Sequence, residues 1–214
     1  AGSGIGRTLA KSMAGYGATI ILMGRTVEKL ESIYDEIENS GYPQAAIIPI
    51  DFLTATDADY KSIQDNIENE FGQLDGLIHN AAEVGERTSI ASYTLNTWER
   101  LMKINVNAPF ALTKYCLPLL QQSDHGSIIF TSSSVGLQGR AYWGAYAASK
   151  AAIENLMETL ADELEDTSNV RVNSINPGAT RTDMRAQAFP AEDPEHVKSS
   201  DTLIPLYVYF MSDH

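Results

Sequence analysis

The chain has 214 residues, 43% of them hydrophobic and 20% charged. That is ordinary usage for a soluble globular protein, far from a disordered, collagenous or disulfide-rich chain, and long enough to bury a core without a disulfide or structural metal. Fifteen basic against twenty-eight acidic side chains leave a net charge of −13, which argues against nucleic acid or anionic lipid as a partner.

Strand-like apolar runs alternate with amphipathic stretches of helical length, the pattern of an α/β fold with a parallel sheet and helices on both faces. The first helix starts within Ala1-Gly2-Ser3-Gly4-Ile5-Gly6, puts Ile5, Leu9 and Met13 on one face and ends at Gly15 and Gly17. Residues 18–23 read as a buried strand. Thr26 is the expected N-cap of the next helix, whose Val27, Leu30, Tyr34 and Ile37 recur at helical spacing until Gly41. A strand over 47–50, a helix over 57–71 and a short strand over 77–79 follow. Residues 97–120 form a long helical stretch that Pro109 breaks or kinks. A strand over 127–132, a helix over 146–164, a strand over 170–175 and a helix over 206–211 complete the pattern. The segment 183–200 has no clear periodicity and is expected to be a mobile excursion over the substrate.

No repeat or linker divides the chain, so residues 1–214 are expected to form a single domain. No run reaches the apolar length of a membrane span, and the N-terminus lacks a basic-then-apolar signal segment. Cys116 is the one cysteine and has no internal partner, which fits a reducing compartment. Together these features predict a cytoplasmic protein without membrane contact. The four histidines, His79, His125, His196 and His214, lack metal-ligand spacing, so no metal site is expected.

Two groups of residues carry chemistry. A glycine-rich turn entering a helix lets the backbone approach a pyrophosphate, whose charge is met by N–H groups at the helix N-terminus; Gly2, Gly4 and Gly6 fit that role. Arg25 follows the next strand where an NAD-selective fold carries a carboxylate. A guanidinium there forks onto a 2′-phosphate, so NADP(H) is favoured over NAD(H). Tyr146 and Lys150 stand four residues apart, on one helix face. A neighbouring cation stabilises phenolate, which would bring the phenol into range for proton exchange near neutral pH. By itself the spacing also fits a packed tyrosine beside a solvated lysine.

Further motifs fall in order along the chain. They are Gly2-Ser3-Gly4-Ile5-Gly6, Asp51 after a strand, His79-Asn80-Ala81-Ala82, Lys103-Ile104-Asn105-Val106-Asn107, Phe130-Thr131-Ser132-Ser133-Ser134-Val135-Gly136, the Tyr146 to Lys150 pair, and Asn176-Pro177-Gly178 followed by Thr182. With these the chain resembles the short-chain dehydrogenase/reductase superfamily over essentially its whole length. Its serine segment and its Asn176 to Ala186 run look like the YciK-type group of bacterial oxidoreductases. Ala82 stands where that family usually has glycine.

The resemblance implies a Rossmann-like doubly wound sheet and an NADP(H)-dependent oxidoreductase acting on a small-molecule carbonyl or alcohol. It implies Asn105, Ser133, Tyr146 and Lys150 as the catalytic set. Ser133, thirteen residues before Tyr146, is at the usual spacing, with Ser132 and Ser134 left open. The cofactor would be held by Gly2, Ser3, Gly4, Ile5, Gly6, Arg25, Asp51, Asn80, Ala81, Tyr146, Lys150, Pro177, Gly178 and Thr182. Members pair helices across subunits, so a homodimer or homotetramer is expected. Substrate recognition would fall to Met184, Arg185 and Phe189 in the excursion and to Gln138 and Trp143. The resemblance also implies that the sheet's first and last strands are missing from this chain. A non-catalytic NADP(H)-sensing protein on the same fold is the competing reading.

Overall fold

The structure is a computed structural model describing residues 1–212; His214 lies outside the described residues. In chain order the elements are α1 (Gly4–Gly15), β1 (Ile21–Gly24), α2 (Val27–Asn39), β2 (Ala46–Pro49), α3 (Asp57–Phe71), β3 (Gly76–His79), α4 (Leu95–Met102), α5 (Ala108–Leu120), β4 (Ser127–Thr131), α6 (Ser134–Leu137), α7 (Gly144–Leu164), β5 (Arg171–Ile175), α8 (Asp183–Ala188) and α9 (Ile204–Met211). All strands pair in parallel and are flanked by helices, the expected α/β class. They fall into two compact units: residues 1–52 with 179–209, and residues 53–178 with 210–212. No helix among the described residues is long and apolar enough to cross a membrane.

In the first unit β1 pairs with β2, with Leu22 opposite Ile47 and Gly24 opposite Pro49. The apolar repeat of α2 places Leu30, Ile33 and Ile37 in a core with Ala10, Ala14, Leu22 and Ala45. Each leucine or isoleucine side chain removed from water there contributes about 1.5–3 kcal/mol. On the outer side Arg7 and Lys11 of α1 both pair with Glu36 of α2, Lys11 at 3.0 Å.

The excursion is ordered by its own contacts. Thr182 caps α8 by accepting the Arg185 N–H at 3.1 Å. Arg185 forks onto both carboxylate oxygens of Glu192 at 2.6 Å and lies 3.7 Å over the Phe189 ring. The expectation of a featureless segment missed α8 because six residues are too few to show a repeat.

In the second unit β4 is central, between β3 and β5. All five β4 residues, Ser127 to Thr131, are buried, the mark of a strand covered on both faces. Thr56 and Asp59 form a capping box at the start of α3. The predicted 97–120 helix is divided: α4 ends at Met102, residues 103–107 form one wide π turn, and Pro109 sits in the first turn of α5. Pro109 lacks an N–H to continue the α4 ladder, so the break falls just before it. Pro118 is accommodated inside α5.

His79 ends β3 and is buried. Its ring stacks on Phe130 with centroids 4.6 Å apart, and Nε2 shares a hydrogen bond with the Thr113 hydroxyl at 2.7 Å. Burial, helped by the nearby Lys150 charge, pushes its pKa down to about 3. The unfolded imidazole takes a proton near pH 6.5 and the folded one does not, so stability is full above 6.5 and is lost as pH falls toward 3. From pH 7 to pH 5 this group removes about 2 kcal/mol. In urea titrations over that range, His79→Phe is expected to be less stable than the parent by about 1 kcal/mol at pH 7, and to lack the His79 share of the acid loss.

Candidate active site

The second unit gathers the predicted catalytic residues around the start of α7. Tyr142, just before it, has φ +70, the one non-glycine residue in the left-handed region among those described. This turn sends the chain from exposed Tyr142 to buried Trp143, the N-cap of α7. The Trp143 and Tyr146 rings lie 5.7 Å apart, and Arg87 covers Trp143 at 4.9 Å. Tyr146, Ser149 and Lys150 are all buried.

Each member of the set is tied to another element. The Ser133 hydroxyl, at the mouth of α6, hydrogen-bonds Tyr146. Ser132 is buried with its N–H on the Ile175 carbonyl at 2.8 Å, and its hydroxyl has no hydrogen-bond partner. Ser134 is the exposed first residue of α6. Of the three serines that spacing left open, Ser133 is the one whose hydrogen bond to Tyr146 is seen.

Lys150 Nζ donates to the Thr131 carbonyl at the end of β4, at 2.7 Å, and lies 5.7 Å from the Tyr146 ring centroid. Asn105, in the π turn, donates from Nδ2 to the Glu83 carbonyl at 2.8 Å and to Ser149 Oγ at 3.0 Å, while Oδ1 accepts the Glu83 N–H at 2.8 Å. Both amide donors are thus engaged in tying the loop after β3 to α7.

Electrostatics inside the set differ from the sequence expectation. Burial raises the Tyr146 phenol above its ordinary value, and the Ser133 hydrogen bond offsets part of this. The expected lowering by Lys150 does not prevail, because the phenol is withdrawn from water and the ammonium is engaged by Thr131. Lys150 is itself pushed down to about 8 by burial, with Glu154 acting in the opposite direction.

Three contributors had no role assigned from the sequence, although Thr131 and Gly136 lie within its serine motif. Thr131 acts through its carbonyl, which every residue has. Ser149 passes as helix filler. Gly136 matters because a Cβ there would stand 2.8–3.0 Å from the backbone and Cβ of Lys150, so only glycine lets α6 lie against α7 at that point.

Of the predicted cofactor residues in this unit, Asn80 lies within 3.5 Å of the Thr131 hydroxyl through Oδ1, and Ala81 is exposed beside it. Pro177 and Gly178 follow β5, with the Gly178 N–H on Asn176 Oδ1 at 3.0 Å.

The first unit holds the remaining candidates. Gly4 opens α1 with φ +53, and a Cβ there would meet Thr182 Cγ2 at 3.1 Å. Ser3, the N-cap, makes no side-chain cap, and the first turn, with Ile5 and Gly6, holds no acidic residue. The N–H groups of such an end are free of intrahelical partners and attract an anion, so this end fits a pyrophosphate. Gly2 also permits a close approach, since a Cβ there would stand 3.0 Å from Lys29 Cβ. Arg25 and Asp51 leave the adjacent C-terminal ends of β1 and β2. Arg185, expected to meet substrate, is held by Glu192 and Phe189.

The short chain dehydrogenase family profile matches residues 1–193. The chain is 47% identical over 213 residues to the uncharacterized oxidoreductase YciK of Escherichia coli K12, covering 100% of this chain and 84% of that protein. A short chain dehydrogenase structure from Pseudomonas syringae matches with TM-score 0.97 at 48% identity, covering 99% of this chain and 86% of the other. One from Shigella flexneri 2a, complexed with NADP, matches with TM-score 0.96 at 47% identity, covering 99% and 88%.

The buried ammonium has a measurable cost. Its folded pKa lies below the unfolded value of 10.5, so the unfolded chain binds more protons between pH 8 and 10.5, and stability rises with pH across that window. Compared with Lys150→Met, the parent is expected to gain about 2 kcal/mol between pH 7 and pH 10 in paired denaturant titrations. Parallel curves for the two proteins would contradict a buried, proton-binding Lys150.

Proposed function

Since the chain belongs to the short chain dehydrogenase family and is an oxidoreductase, we propose that it interconverts a small-molecule carbonyl and the matching secondary alcohol with NADP(H) in preference to NAD(H). The observation that carries this reading is the buried set in which Ser133 bonds the Tyr146 hydroxyl while Lys150 stands beside the same ring. When bound, NADP(H) supplies or takes the hydride.

The chain's own residues do the rest. Tyr146 gives its hydroxyl proton to the developing alkoxide in reduction and recovers it in oxidation; a phenol raised by burial keeps that proton until the substrate oxygen demands it. Ser133 orients the oxygen by hydrogen bonding. Lys150 stabilises phenolate and holds the nicotinamide ribose, and Asn105 completes a route for protons to solvent. Gly2, Ser3, Gly4, Ile5 and Gly6 would cradle the pyrophosphate, Arg25 the 2′-phosphate, Asp51, Asn80 and Ala81 the adenine side, and Pro177, Gly178 and Thr182 the carboxamide. Arg25 favours NADP(H) because a guanidinium meets the phosphate with two parallel hydrogen bonds. The solved relative complexed with NADP supports the cofactor choice. We read the working form as a cytoplasmic homodimer or homotetramer, a reading supported by exposed Leu95 on α4 and Phe110 on α5.

A panel of carbonyl substrates, with NADPH and NADH consumption followed in parallel, tests the reading. NADPH is expected to be preferred, and Arg25→Ala to weaken NADPH binding about tenfold or more with little effect on NADH; equal use of the two cofactors by the parent would overturn the preference. Tyr146→Phe is expected to lower turnover at least a hundredfold with NADPH binding nearly unchanged, whereas turnover within about tenfold of the parent rejects Tyr146 as acid–base. Light scattering at micromolar concentration is expected to give a multiple of the monomer mass.

A further inference from the structure

Lys150 is a cation enclosed by protein whose hydrogen bond is to a neutral group, the Thr131 carbonyl. Its surroundings are Tyr146 on its own helix, His79 from β3, the Thr131 carbonyl from β4 and the backbone of Gly136 from α6. None of these is acidic, and His79 is neutral at physiological pH. The carboxylate whose charge acts on Lys150 is Glu154, four residues further along α7 and so on the same face. Glu154 is itself fixed: its Oε2 accepts the Ser174 hydroxyl of β5 at 2.8 Å. Tyr146, Lys150 and Glu154 therefore form one stripe, with a β5 hydroxyl anchoring its far end.

We propose that Glu154, anchored by Ser174, is a positioning residue whose carboxylate keeps the buried Lys150 ammonium protonated at working pH. The inference rests on the reading of Lys150 as the cation beside Tyr146 and extends it to a residue outside the reacting groups. An opposite charge near a buried cation commonly shifts its titration by about one unit or more. With Lys150 titrating at about 8, losing one unit would take the charged fraction at pH 7.5 from about three quarters to about one quarter, roughly a threefold loss.

Glu154→Gln is the discriminating variant, because the amide oxygen still accepts the Ser174 hydroxyl while the charge is gone. A tie between α7 and β5 that is only structural survives this change. The Lys150 titration is read by NMR on protein carrying 13Cε-labelled lysine, the resonance being assigned by its loss in Lys150→Arg. NADPH binding is measured against pH by nicotinamide fluorescence. In Glu154→Gln the titration is expected to move down by about one unit and the alkaline limb of NADPH affinity to move with it, with Glu154→Asp restoring part of the shift. Ser174→Ala, which keeps the carboxylate but frees it, is expected to move the titration in the same direction by less, and it serves alone if Glu154→Gln does not fold. A folded Glu154→Gln, or in its absence a folded Ser174→Ala, whose Lys150 titrates with the parent overturns the proposal. If the titration moves but Lys150→Met binds NADPH as the parent does, Glu154 still sets the charge and it is the assigned role of Lys150 that fails.

Discussion

An ammonium taken out of water has to be compensated where it lies, and the second unit is built around that demand. Lys150 reaches the end of β4, where its Nζ donates to the Thr131 carbonyl. The contact brings α7 close to the mouth of α6, which is why position 136 has no room for a side chain. Burial, reinforced by the nearby Lys150 charge, keeps the His79 imidazole neutral, and it serves as a flat stacking partner for Phe130. The cost of burying one charge is thereby shared among several elements, each giving up a freedom of sequence.

The parallel strands explain why the candidate residues gather at strand ends. A parallel strand delivers its chain to the same edge as its neighbours, and the residues just past that edge are released from the ladder. Thr131 and Ser133 follow or end β4, His79 and Asn80 stand at the end of β3, and Asn176 to Gly178 follow β5. Arg25 and Asp51 hold the corresponding places in the first unit, after β1 and β2. Side chains at those points are not constrained by a matching ladder partner. The candidate residues accordingly stand at strand exits, apart from the stripe on α7, the amide of Asn105, the glycine turn at the start of α1 and Thr182 before α8.

What the sequence made legible follows from the range of the forces involved. Strands and long helices were readable because burial imposes a period, as with Leu30 and Ile37 in α2, where Ile33 completes the buried face and Val27 is exposed. Their ends moved by a residue or a few, since the apolar run of 18–23 says nothing about where ladder bonds to β2 begin. Tyr146, Lys150 and Ser133 were singled out through the family resemblance, since spacing alone left a packed tyrosine and the neighbouring serines open. Backbone partners and excluded volumes were not readable. The Thr131 carbonyl, the tight approach at Gly136 and the clasp of Arg185 on Glu192 depend on contacts between segments, to which a single sequence gives no direct access. The π turn at 103–107 lay between these cases: Pro109 announced a break, but its form came from the need to place Asn105 against Glu83 and Ser149.

The direction of the Tyr146 shift bears on how such a site works. Spacing argued for a phenol made more acidic by its cation, yet in the folded chain burial wins and the phenol is a weaker acid than in water. The two statements concern different moments. While the proton is on the phenol, desolvation penalises its loss, so the group is held as a donor at neutral pH. Once a substrate oxygen accumulates charge within reach, the proton has a destination in the same dry space, and the phenolate left behind is met by the Ser133 hydroxyl and the Lys150 ammonium without solvent having to reorganise. In the proposed chemistry burial and the cation therefore act in succession, burial keeping the proton in place and Lys150 stabilising the charge its departure creates. This division requires Lys150 to be charged when the proton moves, and a lysine whose own burial pulls it toward about 8 keeps only a narrow margin for that. The carboxylate one turn away widens the margin without touching the reacting atoms.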